Sequence, residues 1–274
     1  YDRAAVSMSN YLRKYPNGLF SLKAHYYAAD SYQRQGQPDK ALPHYLQVCQ
    51  SARCQWTETS LLTAAGIAYD DSNYVLADSL YAQLADMAEN QSNRIIGRLG
   101  VLRCCVMLNR ESAINAAADA LLNEPRIETE HREEALIAKA RLSYSQGLRQ
   151  QVITLYEPLL TSTNGEYSGE AAYRRAECTY LTSGCKPAEK IINDIVQDMA
   201  SDYWLAKTFI LWADIYYNDH HNNLQAKQTL QSIIDNYEGA ELRTIAQERL
   251  DAIILSEAAD TQLDEEEDPM EIDM

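Results

Sequence analysis

Apolar residues recur at helical spacing along this chain and are cut into blocks by short polar turns. Ala5, Met8, Leu12 and Tyr15 share one face of a helix over residues 1–15, which Pro16-Asn17-Gly18 ends. Six helix pairs are expected to follow: near 19–35 with 38–51, 56–70 with 74–89, 91–108 with 111–123, 129–146 with 149–162, 166–183 with 186–200, and 202–218 with 223–237. A last helix covers 240–257 and has no partner after it. Gly36 suits the position just past a helix end and Pro38 the first turn of the next helix; Gly147 and Gly184 repeat the first role, Pro187 the second.

The blocks are copies of one another. Ala-x-x-x-Tyr stands in the first helix at Ala28–Tyr32, Ala65–Tyr69, Ala140–Tyr144, Ala176–Tyr180 and Ala213–Tyr217, and Leu102–Val106 holds the same place between the second and third. The steps from Tyr32 through Val106 to Tyr217 are 37, 37, 38, 36 and 37 residues, the period of a stacked helical repeat. The second helices carry a small residue soon after the turn (Ala41, Ala77, Ala113, Val152, Ala188, Ala226). Four places on stand Tyr45, Tyr81, Ala117, Tyr156, Ile192 and Leu230. The small residue lets helices cross closely and the large one fills the seam. Pair three breaks both patterns and should be the least regular.

Composition agrees with an all-helical reading. Only 10 Gly and 7 Pro interrupt 274 residues, and 19 Tyr against 2 Phe suits a thin structure whose seams end at a wet edge. Net charge is −16, and an acidic body argues against nucleic acid or an anionic membrane surface as partner. Nothing approaches the roughly 20 apolar residues needed to cross a bilayer, so no direct membrane insertion of this segment is expected. Eight acids fall within 260–274, and 258–274 is expected to be a disordered acidic tail after a repeat domain over 1–257. It reads either as a solubility tail or as a docking peptide anchored by Met270 and Ile272. Residue 1 is Tyr, which suggests a fragment or processed chain with more repeats upstream. The six cysteines read as small core residues; Cys49 with Cys54, and Cys178 with Cys185, are near enough to bridge in an oxidising compartment.

No catalytic constellation is found. His131-Arg-Glu-Glu134 lacks the second His of a helical metalloprotease and reads as the charged first turn of a helix. His220-His221 sits in a polar turn without further ligands nearby in sequence. The chain is therefore expected to be no enzyme, with no cofactor and no metal.

In pair one, Ala29, Tyr32, Gly36, Ala41 and Tyr45 fall where the tetratricopeptide (TPR) repeat family has a small residue, a Tyr, the turn Gly, an Ala and an aromatic. Over residues 4–257 the chain resembles that family, with longer units and no turn Gly in pairs two, three and six. The resemblance implies a right-handed α-solenoid of about six TPR-like pairs, led by a half repeat and closed by a capping helix. Tyr11-Leu-Arg-Lys-Tyr15-Pro-Asn-Gly and Ile234-Asp-Asn-Tyr237-Glu-Gly are similar to repeat junctions of bacterial envelope TPR proteins. That implies a periplasmic or outer-membrane-associated setting, with a cytoplasmic one as alternative.

In the family register, residues two and six places before each Tyr position line a concave wall. Here they are Tyr26 and Asp30, Thr63 and Ile67, Gly100 and Cys104, Ala138 and Leu142, Arg174 and Cys178, and Leu211 and Ile215. The wall lacks the Lys/Asn/Arg set of a carboxylate clamp and suits an apolar or helical segment, unless it simply packs against neighbouring repeats. The expected function is a non-enzymatic scaffold binding a protein or peptide segment there. The alternative is a structural, self-assembling or accessory segment of a larger protein, with self-association through the uncapped half repeat.

Overall fold

A computed structural model describes residues 2–197 and 199–267, with side chains over 3–197 and 199–259. It is an all-α repeat, with no strand among the described residues. In chain order the helices are α1 (Asp2–Lys14), α2 (Ser21–Arg34), α3 (Pro38–Cys49), α4 (Thr57–Asp70), α5 (Tyr74–Met87), α6 (Gln91–Met107), α7 (Glu111–Leu122) and α8 (Thr129–Ser145). Then come α9 (Arg149–Tyr156) with a 3-10 turn over Glu157–Thr161, α10 (Gly165–Ser183), α11 (Cys185–Val196), α12 (Asp202–Asn218), α13 (Asn223–Asn236) and α14 (Ala240–Glu267). The six pairs and the leading half repeat fall where the apolar pattern places them. The last helix is a correction: it passes residue 257 and continues to Glu267, because no Gly or Pro interrupts the helix formers before Pro269. The rest of the expected tail, 268–274, lies outside the described residues.

The chain forms two compact units, 1–142 and 143–274. In the first, successive helices from α1 to α7 pack on one another, around one core of α2–α6 side chains and another shared by α6, α7 and α8. In the second, α9 and its 3-10 turn pack on α10, and each helix from α10 to α14 packs on the next.

The repeating Ala and Tyr divide the labour. Ala28, Ala65, Leu102, Ala140, Ala176 and Ala213 are completely buried, whereas the Tyr positions are half-buried, with Val106 42% exposed. Pair three needs a shift of one residue. Ala113 is only half-buried and Ala117 lies at the edge of the core at 9% exposed, while Ile114 and Ala118 are buried deeper, so the large residue comes first and the small one second. Past its end, Glu124 is only 6% exposed and ion-pairs with Arg94 at 3.2 Å and Arg98 at 2.6 Å. Two guanidiniums offset the cost of burying that carboxylate.

The turns are more uniform than their residues. Gly36, Gly147 and Gly184 have positive φ, and so do Ser72, Asn109 and His221 at the equivalent places of the pairs without a turn glycine. At four of these turns the next residue's N–H donates to the carbonyl five residues back: Gln37 to Tyr32, Asn73 to Ala68, Arg110 to Cys105 and Leu148 to Ser143. That closes the helix end in the same way each time. Ser72, at φ 59°, carries a strain that a glycine avoids. Ser72→Gly is expected to stabilise the protein by about 0.5–1 kcal/mol, read as a higher urea midpoint at unchanged slope.

Candidate functional site

The twelve wall residues do not share one fate. Ile67, Gly100, Cys104, Leu142, Cys178, Leu211 and Ile215 are buried in the seams, where they pack rather than present a surface. Gly100 is covered by the Tyr81 ring. Burial, with Asp78 adding to it, pushes the Cys104 thiol up to about 12, and burial with Glu177 nearby pushes Cys178 up to about 11. Burial thus favours the neutral thiol in both, as it does for a cysteine that packs in a core. Tyr26, Asp30, Thr63, Ala138 and Arg174 remain half-buried.

In the first unit the structure brings Tyr26, Asp30 and Thr63 together around Tyr45. The Tyr26 ring lies 6.4 Å from Tyr45, edge-on, and stacks on Trp56 at 5.6 Å. Burial, then the Asp30 carboxylate, raises the Tyr45 hydroxyl to about 12, with Thr63 hydrogen-bonded to it. Asp30 is held by Arg34 at 2.9 Å. Ala138 packs against the α6–α8 core.

In the second unit Arg174 is the centre of a denser patch. Its guanidinium lies 3.8 Å from the Tyr144 ring centroid, 5.3 Å from Tyr173 and 5.7 Å from Trp204, and it ion-pairs with Glu177 at 2.9 Å. Tyr173 donates to the other Glu177 oxygen at 2.7 Å. Lys207 Nζ sits 5.4 Å from Tyr173, 5.3 Å from Tyr203 and 5.2 Å from Trp204. Two cations thus lie against four ring faces, an arrangement worth about 0.5–2 kcal/mol per cation according to how far water is excluded.

Only Arg174 of this patch was in the sequence-derived wall. Trp204 and Lys207 were missed, yet they continue the same helical stripe backwards from Ile215 and Leu211: 204, 207, 211 and 215 step by three and four residues. Carrying the register two turns nearer the helix start finds both. The charged first turn read at His131–Glu134 is at the start of α8, where Glu134 ion-pairs with Arg103 at 2.6 Å.

No family model and no curated protein matches the sequence. Among solved structures, the chain is similar to a tetratricopeptide repeat protein from Parabacteroides merdae ATCC 43184, at 15% identity over 91% of each chain, with a TM-score of 0.43. It is also similar to the TPR domain of P58(IPK), at 11% identity over 86% of this chain and 66% of that one, with a TM-score of 0.36.

Proposed function

We propose that this chain is a non-enzymatic scaffold that binds a protein segment on its first-helix faces, with the Tyr144–Arg174–Trp204–Lys207 patch as the anchor. The patch itself carries the reading. Binding energy at protein interfaces concentrates on Trp, Tyr and Arg held rigidly in partly desolvated surroundings, and here packing fixes all three. The ligand that fits is an apolar or helical segment with an acidic side chain for Lys207. In photo-crosslinking from the α10 and α12 faces of the full chain, a partner protein is expected to be captured there. Arg174→Ala is expected to weaken its binding at least about tenfold while circular dichroism stays unchanged. Crosslinks to partner proteins only elsewhere, or none at all, would sink the idea. A second reading, self-association through the leading half repeat, is favoured by Val6 and Phe20, 58% and 59% exposed; it predicts crosslinks joining two copies near α1.

A further inference from the structure

Turns five and six stand one repeat apart in sequence and side by side in the second unit. Cys185 is the first residue of α11, right after Gly184 at φ 87°, and Glu189 lies one helical turn later on the same face. His220 comes from the turn between α12 and α13. The Cys185 Sγ, a Glu189 carboxylate oxygen and a His220 ring nitrogen all lie within 4.8 Å of one another. His220 Nε2 and Glu189 Oε1 are 2.7 Å apart. All three residues are partly or fully exposed, so an ion can reach them from solvent.

The turn that carries His220 is itself held. Tyr180 donates to Asp219 at 2.7 Å, and burial together with that carboxylate keeps the phenol protonated, with its pKa pushed up to about 12. The His220 N–H bonds to the Ile215 carbonyl at 3.3 Å, and the Tyr216 ring is 6.1 Å from the imidazole. A neighbour in sequence has no such part: His221 provides the positive-φ residue of the turn, at φ 50°.

We propose that Cys185, Glu189 and His220 form a zinc site that clips the turn of pair five to the turn of pair six, with water as the fourth ligand. A thiolate, an imidazole and a carboxylate are the donors that borderline divalent ions such as Zn²⁺ take, whereas Ca²⁺ and Mg²⁺ prefer all-oxygen sets. Bonds of about 2.0–2.3 Å in a tetrahedron place ligand atoms roughly 3.3–3.8 Å apart. The present spacing therefore closes by small side-chain rotations. On binding, the Cys185 S–H bond breaks, sulfur keeps the electron pair as the new S–Zn bond forms, and the proton passes to buffer. The proton that His220 Nε2 shares with Glu189 leaves by exchange with solvent as the neutral imidazole takes its Nδ1–H tautomer. The Nε2 lone pair and a Glu189 oxygen then replace that hydrogen bond with two metal bonds. No redox change occurs. Sequence reading assigned the His220-His221 pair to a turn because the three donors are scattered across two repeats. The repeat period brings them together.

The test is titration of the full chain, under a non-chelating reductant, with Co²⁺ as the spectroscopic probe and Zn²⁺ as competitor. One equivalent of Co²⁺ is expected to give a sulfur-to-cobalt charge-transfer band and the intense visible bands of four-coordinate cobalt, and Zn²⁺ should displace both. Cys185→Ser is expected to abolish the charge-transfer band. His220→Ala and Glu189→Gln should each weaken binding by more than about tenfold, a loss that even supporting residues of metal sites produce. His221→Ala should leave affinity unchanged. Circular dichroism of each variant shows whether the fold is intact, and the nearly isosteric Glu189→Gln at a half-buried position keeps the test decisive if Cys185→Ser is unstable. The proposal is overturned by the absence of a charge-transfer band in the parent chain, by a band that survives Cys185→Ser, or by Glu189→Gln and His220→Ala variants that bind as the parent does.

Discussion

Gly97→Ala is expected to cost this protein roughly 3 kcal/mol, although alanine is the better helix former by about 1 kcal/mol. Both Gly97 and Gly100 face α5 from α6. A Cβ built on Gly97 would lie 2.7 Å from the Ala85 nitrogen, 2.9 Å from the Tyr81 carbonyl oxygen and 3.0 Å from the Ala85 Cα. These are backbone atoms of a packed helix, so relief requires α5 and α6 to separate, and every contact along their seam loosens with them. At Gly100 the added carbon would meet the Tyr81 ring at 2.3 Å, and only rotation of a packed side chain gives way. Gly66, in the middle of α4, is the control: nothing lies within 4 Å of its would-be Cβ. Gly66→Ala should therefore stabilise by about 0.5–1 kcal/mol. Urea denaturation of the three proteins measures the contrast. If Gly97→Ala and Gly66→Ala shift the midpoint in the same direction, the close α5–α6 crossing is wrong.

That crossing also shows where sequence reading stops. The period, the helix pairs and the Ala–Tyr division were all legible, because each depends on local pattern repeated six times. Pair three was recognisable as irregular. What was not visible is how it solves its problem: Leu102 takes the place of an Ala, Ile114 and Ala118 reverse the order of large and small, and two glycines bring α5 close. Each of these is a tertiary fit, and none leaves a period. The wall residues illustrate the same limit. Register named positions expected to turn inward, without saying which of them a neighbouring helix covers, so Ile215 and Arg174 looked alike in the sequence. Their difference comes from size and charge: an isoleucine is stabilised by full burial, whereas a guanidinium settles on ring faces at the edge of water. The turns reverse the lesson. Pairs two, three and six lack the turn glycine, yet Ser72, Asn109 and His221 keep a positive φ there. There the backbone hydrogen bonds of the helix end outweigh the cost of a side chain.

Tyr156→Ala is expected to have the largest effect of any single truncation, about 4 kcal/mol. Tyr156 is the large second-helix residue of pair four and is completely buried at the end of α9, where the chain tightens into the 3-10 turn at Glu157-Pro158. Removing the ring leaves a cavity that the turn cannot collapse to fill, since the fixed φ of Pro158 restricts it. The hydroxyl has its own role. It donates to Glu170 Oε1 at 2.7 Å, and Glu170 on α10 is only 4% exposed. A buried acceptor that loses a donor costs about 1–3 kcal/mol, so Tyr156→Phe should retain the packing and still lose about 2 kcal/mol. The double variant Tyr156→Phe with Glu170→Gln separates the two contributions. If the hydrogen bond to a buried carboxylate matters, the coupling between the two changes should exceed roughly 0.5 kcal/mol. Additive effects would place the whole cost of Tyr156→Ala in the lost ring.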